Sequence, residues 1–279
     1  MIKYKASDFA YKIFVQIFFI LLSITIVFTL YYLIVNSMKS TIEFDANQFS
    51  PPKSLYFSNF NYVWKEGAIG ITFRNSLIIC CTGTLLCIFI AFISGFIFVY
   101  MTFTGRRLLT YLILSTMYIS PMALMIPLYL QMTKLNLNNT YIALIIIYVA
   151  LNSAFSIYLM TTYLKGIPAE IIEAAIIDGC GELGLLFRIF LPLSKSAILV
   201  LSVISFSAMW NDLLFALIFL QKEQKQTIMV AIANFRGSFG TGNMTHILSA
   251  LTIATLPVLI LYLFVQRSFK EGMTFGTFK

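Results

Sequence analysis

Long apolar runs separated by short polar connections make up this chain, at residues 13–35, 75–101, 108–130, 141–163, 197–220 and 247–266. Each run is about 20 residues or more, the length at which a helix crosses roughly 30 Å of hydrocarbon. Backbone amides in lipid find no water, so such runs predict helices that satisfy their own hydrogen bonds. The expected fold class is all-α, a polytopic membrane protein with six transmembrane helices. The domain reading is an N-terminal segment at 1–12, a six-span domain over 13–266 that includes a polar loop at 164–196, and a tail at 267–279.

The first run follows Lys3, Lys5 and Lys12 and resembles a signal peptide. It is too long for one, and no small-residue cleavage pattern follows, so an uncleaved first span is expected. The polar segment after it, 36–70, carries Pro51, Pro52 and many aromatic residues. It is expected on the outer side.

Composition agrees with this pattern. With 59% apolar and 11% charged residues, the chain cannot cover a water-soluble surface. The net charge of +8 suggests nucleic acid, but the basic residues are scattered between apolar runs and form no stripe, so no nucleic-acid partner is expected. Topology accounts for them better. With both termini cytoplasmic, eleven basic residues lie inside and eight outside, and the short turn at 102–107 places Arg106 and Arg107 where the positive-inside rule weighs most.

Chemistry is sparse. Cys80, Cys81 and Cys87 share one apolar run and Cys180 lies in a polar loop, so no pair has metal or redox spacing. His246, the only histidine, has no neighbouring ligand and suits capping or packing. There is no phosphate loop of the Gly-x-x-x-x-Gly-Lys-Ser/Thr type, no GxSxG elbow and no HExxH helix. No catalytic and no metal-binding residue is assigned, and the chain is not expected to be an enzyme or to bind ATP itself.

The loop at 164–196 differs in character. Pro168 suits a first helical turn, Glu170 and Glu173 favour the positive end of a helix, and the helix should run to Asp178. Gly179 and Gly181 are expected to take positive backbone dihedrals and turn the chain into a second short helix leading through Pro192 into span five. Ile171, Ile172, Ile176 and Ile177 would suit a helix lying on lipid, but Glu170, Glu173, Asp178 and Glu182 face an anionic leaflet poorly. Small Ala174 and Ala175 permit close approach, which favours docking onto a partner protein.

Glu173, Ala174, Ala175, Gly179, Ile189, Leu191 and Pro192 stand in a spacing that resembles the cytoplasmic loop of integral subunits of bacterial ABC importers. That resemblance implies a coupling helix that docks into a groove on an ATPase subunit, with Glu170 and Asp178 beside the motif. FRNS at 73–76, the stretch from Trp210 to Ala216 and the tail QRSFKEGMTFGTFK look similar to the carbohydrate branch, in particular to the smaller maltose-transporter-type subunit. Phe275 and Phe278 depart from the usual tail. The resemblance implies location in a bacterial cytoplasmic membrane and a complex with a second homologous membrane subunit, two ATPase subunits holding ATP and magnesium, and an extracytoplasmic solute-binding protein. Outer contacts would fall at 49–64 and 221–245, and the tail at 272–279 would reach the ATPases or end as a polar terminus.

Candidate pathway residues come from the spans. Asp212 is the one acid within a predicted span; with Asn211 and Trp210 it either lines a solute path or gate or is bonded to a neighbouring span. Asn152, Ser153 and Ser156 in span four either bond another helix or line the same path, Asn152 and Ser156 sharing one face. Pro121 and Pro127 should bend span three. The competing class is an ion-coupled secondary transporter or channel, compatible with six spans and Asp212 but with no reason to hold the loop pattern. A scaffold protein would need no polar residues in spans four and five.

Overall fold

The computed structural model describes residues 6–238 and 243–274; of the expected tail contact at 272–279, residues 275–279 lie outside them, as do residues 239–242 of the expected outer contact at 221–245. Among the described residues every regular element is helical. Four helices are long and apolar enough to cross a membrane singly: α1 (Ala6–Ser37), α4 (Ile69–Tyr100), α7 (Tyr141–Leu164) and α14 (Met244–Thr274). Two bent helix pairs meet the same test jointly, which makes six spans if each pair crosses once.

The first bent pair replaces the single third span. Helix α5 (Arg106–Ser115) continues through a short 3-10 turn to Tyr118, and after the break a 3-10 turn at Pro121–Leu124 leads into α6 (Met125–Lys134), at 95° to the first half. Pro121 lacks an N–H and holds Ser120 in an extended conformation, φ −62° and ψ 126°. Pro127 does not contribute a second bend, because it lies in the first turn of α6, where a missing N–H leaves no bond unmade.

The second bent pair also departs from the predicted span at 197–220. A helical stretch over Glu182–Leu193, made of α9 (Glu182–Gly184), a π-helical segment at Leu185–Phe190 and α10 (Leu191–Leu193), meets α11 (Lys195–Trp210) at 70°, and α11 stops at Trp210. After a break at 211–213, α12 (Leu214–Phe219) resumes, and α13 (Ile228–Ser238) follows it. A polar Asn-Asp pair in the apolar run offers the backbone side-chain alternatives to helical bonding, and the helix divides there.

Two compact units can be distinguished. One comprises residues up to Gly70 with Ile232–Ala254, the other Ile71–Ala231 with residues from Thr255. In the first unit the polar segment after α1 is ordered by α2 (Thr41–Ala46), α3 (Ser58–Lys65) and a buried lysine. Lys39 Nζ donates to the carbonyls of Asn47 at 3.0 Å and Gln48 at 3.2 Å, and burial lowers its pKa while Glu43 opposes the shift. Asn59 Nδ2 donates to the carbonyls of Ser37 and Lys39. His246 stacks on Tyr62 with centroids 4.3 Å apart, a packing role.

The second unit holds the core that matters for the loop. Ala91, Phe92, Phe96 and Phe98 of α4 pack with Ile157, Met160 and Leu164 of α7, Ala197 and Leu201 of α11, and residues of the 164–196 loop. Gly95 permits the approach of α4 and α7: a Cβ there would lie 3.0 Å from Met160 Cγ and 3.2 Å from Leu164 Cδ1.

Candidate functional site

Helix α8 (Ala169–Ile177) forms where the sequence places it, with Pro168 immediately before its first residue. Asp178 N and Cys180 N donate to the carbonyls of Ala174 and Ala175, and Gly179, at φ +80°, takes the left-handed conformation that ends the helix. Gly181 does not take the positive dihedral expected of it. It is extended, φ −75° and ψ 174°, and starts the next helix at Glu182, a position that any residue can adopt.

The two faces of this loop differ. Ala175 is buried, and Leu185, Leu186 and Phe190 join it in the core shared by α4, α7 and α11. Phe190 meets Phe96 edge-to-face at 5.0 Å and Tyr100 at 6.4 Å. Glu170, Glu173, Ala174, Asp178 and Gly179 are exposed, as are Ile171, Ile176 and Ile177, the last at 85%. Among the described residues, no side-chain hydrogen bond or ion pair engages Glu170, Glu173 or Asp178. Ile189 is half-buried against the core, while Leu191 and Pro192 are exposed at the turn into α11. This is an acid-bearing ridge packed against α4, α7 and α11 by its inner side.

The break between α11 and α12 has the opposite character. Asp212 Oδ2 accepts from the Tyr148 hydroxyl at 2.8 Å and from Ala216 N at 3.0 Å, so the acid is bonded to span four and caps α12. Trp210 is fully buried, stacked on Phe206 at 5.3 Å and edge-to-face with Phe73 at 5.6 Å. Asn211 is exposed and donates to the Ser207 carbonyl.

Phe73 belongs to the 73–76 stretch, and its neighbours act nearby. Asn75 Nδ2 donates to the carbonyls of Gln224 and Gln226, and Ser76 Oγ accepts from Ile228 N. The 73–76 stretch thus holds both the helix break and the loop that follows α12. In span four, Asn152 and Ser153 donate to carbonyls of their own helix, while Ser156 Oγ and Cys87 Sγ lie 3.2 Å apart. Sequence reasoning missed Tyr148, Cys87 and Ser205, which reaches Cys87 Sγ at 4.0 Å. No local signal could have found them, because each partner lies more than 60 positions away. Among the described residues no group of His, Cys, Asp and Glu could hold a metal ion.

Comparison with known proteins identifies the family. Residues 83–274 match the family described as "Binding-protein-dependent transport system inner membrane component". The probable ABC transporter permease protein YurM of Bacillus subtilis (strain 168) is 32% identical over 265 residues, covering 95% of this chain and 88% of the relative. The melibiose/raffinose/stachyose import permease protein MelC of the same organism is 31% identical over 250 residues, covering 89% and 90%. A crystal structure of a bacterial ABC transporter involved in the import of the acidic polysaccharide alginate contains a chain of the same fold, with TM-score 0.83 over 96% of this chain and 99% of that one at 23% identity.

Proposed function

The chain belongs to the binding-protein-dependent transport system inner membrane components, and from that premise we propose that it forms half of the pathway of an ATP-driven importer for a sugar or oligosaccharide. The ion-coupled alternative has no comparable support. The observation that carries the reading is α8, whose acidic outer face is open while its inner face is packed against three spans. ATP-driven closure of two partner subunits, each holding ATP and magnesium, would push on Glu170, Glu173, Ala174, Asp178 and Gly179. Ala175, Leu185, Leu186 and Phe190 would pass that displacement to α4, α7 and α11, because a close-packed core transmits strain. Ile189, Leu191 and Pro192 would keep the turn into α11 stiff.

In this reading both termini and the 164–196 loop are cytoplasmic, the domain division is the one at 1–12, 13–266 and 267–279, and a second related membrane subunit completes the pathway. A solute-binding protein outside would touch 49–64 and 221–245. Asn211, exposed at the break, and Asn152 and Ser153, half-buried, are the polar groups offered to solute; Trp210, Asp212 and Ser156 would hold the geometry behind them. The names of relatives such as MelC, a melibiose, raffinose and stachyose permease, support a sugar cargo.

Reconstituted with its partners, the native complex should show ATP hydrolysis stimulated by solute-loaded binding protein. Glu173→Ala combined with Gly179→Asp should abolish ATPase association or uncouple hydrolysis from uptake while the membrane subunits stay assembled. Unchanged coupling in the assembled variant would sink the coupling role of α8.

A further inference from the structure

The turn between α4 and α5, together with the last turn of α7, lines an open cavity of about 610 Å³. Arg106 and Arg107 line it from the first turn of α5 and Lys165 from the end of α7, with Thr110, Tyr111 and Thr161 among them. The lining contains three cations and no carboxylate. Arg106 donates to the Met101 carbonyl at 3.3 Å and Arg107 to the Tyr111 hydroxyl at 3.2 Å, one hydrogen bond for each five-donor guanidinium, and Arg107 also lies over the Tyr111 ring at 5.7 Å. These side chains are placed and largely uncommitted.

A narrower cleft shares Thr110, Thr161 and Lys165 with this cavity and continues along apolar Ile113, Leu114 and Ile157. The Thr161 hydroxyl in the common wall is buried without a hydrogen-bond partner. Arg107 and Lys165 are exposed and Arg106 is half-buried, whereas ordinary positive-inside residues are spread singly over loops. Here three converge beside an apolar cleft at the edge of the spans. A soluble polyanion would use the cations and leave the cleft empty; a phospholipid uses both.

We propose that this cavity binds the phosphate headgroup of an anionic phospholipid of the cytoplasmic leaflet, with an acyl chain lying along the Ile113–Ile157 side. The leaflet assignment rests on the orientation given under the proposed function. Lys165 lies three residues before Pro168, so the lipid would brace α5 against the root of α8. Coupled ATP hydrolysis therefore depends on anionic lipid.

The test uses the assembled importer in nanodiscs of phosphatidylglycerol with phosphatidylcholine, followed by native mass spectrometry of retained lipid and by ATPase assay. The native complex should retain phosphatidylglycerol and lose coupled activity in phosphatidylcholine alone. R106Q/R107Q/K165Q should weaken retention on the order of 100-fold, and R107Q alone about fivefold, which serves if the triple variant does not assemble. Retention equal to native in the assembled variants overturns the proposal. So does inorganic phosphate, added to phosphatidylcholine discs, restoring activity by itself, since the ligand is then a free anion. Labelling of Thr104→Cys by a membrane-impermeant thiol reagent from the outer face alone would refute the orientation, while lipid retention still reports on the cavity.

Discussion

Helix α8 and the break at 211–213 both place carboxylates in an apolar chain, and they treat them in opposite ways. At the break the acid is used up: Asp212 has a phenol and a backbone amide as partners, and Trp210 beside it is sealed between two rings. Glu170 and Glu173 on α8 and Asp178 just beyond it are exposed and open, while the inner side of the same loop is built into the core. The difference separates a polar group that specifies a fold from one that waits for another protein. Inside a bundle an unpaired carboxylate is expensive, so it acquires partners. At a water-facing docking ridge it stays solvated until a partner offers a charged or donor group.

The largest effect expected from breaking this contrast is on the inner face of the loop. Phe190→Ala removes a fully buried ring between α4 and the loop, and should destabilise by about 3–5 kcal/mol, read as a lower unfolding midpoint of the purified subunit by circular dichroism. A midpoint unchanged from native would mean that the loop is not anchored through Phe190.

Next comes the break. Asp212→Ala orphans the Tyr148 hydroxyl and the Ala216 amide and should cost on the order of 1–3 kcal/mol, whereas Tyr148→Phe, which leaves the cap on Ala216, should cost roughly 0.6 kcal/mol. If instead both variants unfold like native but fail to transport in uptake assays, the break is a working part of the pathway and the contrast with α8 collapses.

Gly179→Ala puts a side chain at φ +80°, where nothing crowds it, so only backbone strain of about 1 kcal/mol is expected. Its effect on coupling should exceed its effect on the melting curve. The smallest stability change is that of Glu173→Ala, within about 0.5 kcal/mol of native because the carboxylate is exposed and makes no hydrogen bond or ion pair with a described residue. Stimulated ATPase activity should nonetheless fall several-fold; a full-strength response would remove Glu173 from the docking surface.

Hydrophobic runs marked the segments able to cross a bilayer, because a segment's need to satisfy its amides in lipid is written in local composition. Local chemistry likewise determined α8: Pro168 before it, acids in its first turn and Gly179 beyond it are signals within a dozen residues. The bend at Pro121 was legible for the same reason, and Gly181 was misjudged because a glycine permits a positive dihedral without requiring one. Only the tertiary structure decided that span five divides at Asn211, that Tyr148 bonds Asp212, and that Asn75 and Ser76 hold a loop some 150 positions later. It alone decided which side of α8 is anchored and which is open, and it gathered Arg106, Arg107 and Lys165 around one cavity. Such pairings depend on how helices distant in sequence meet, and side-chain contacts at those distances leave no periodic trace in the chain.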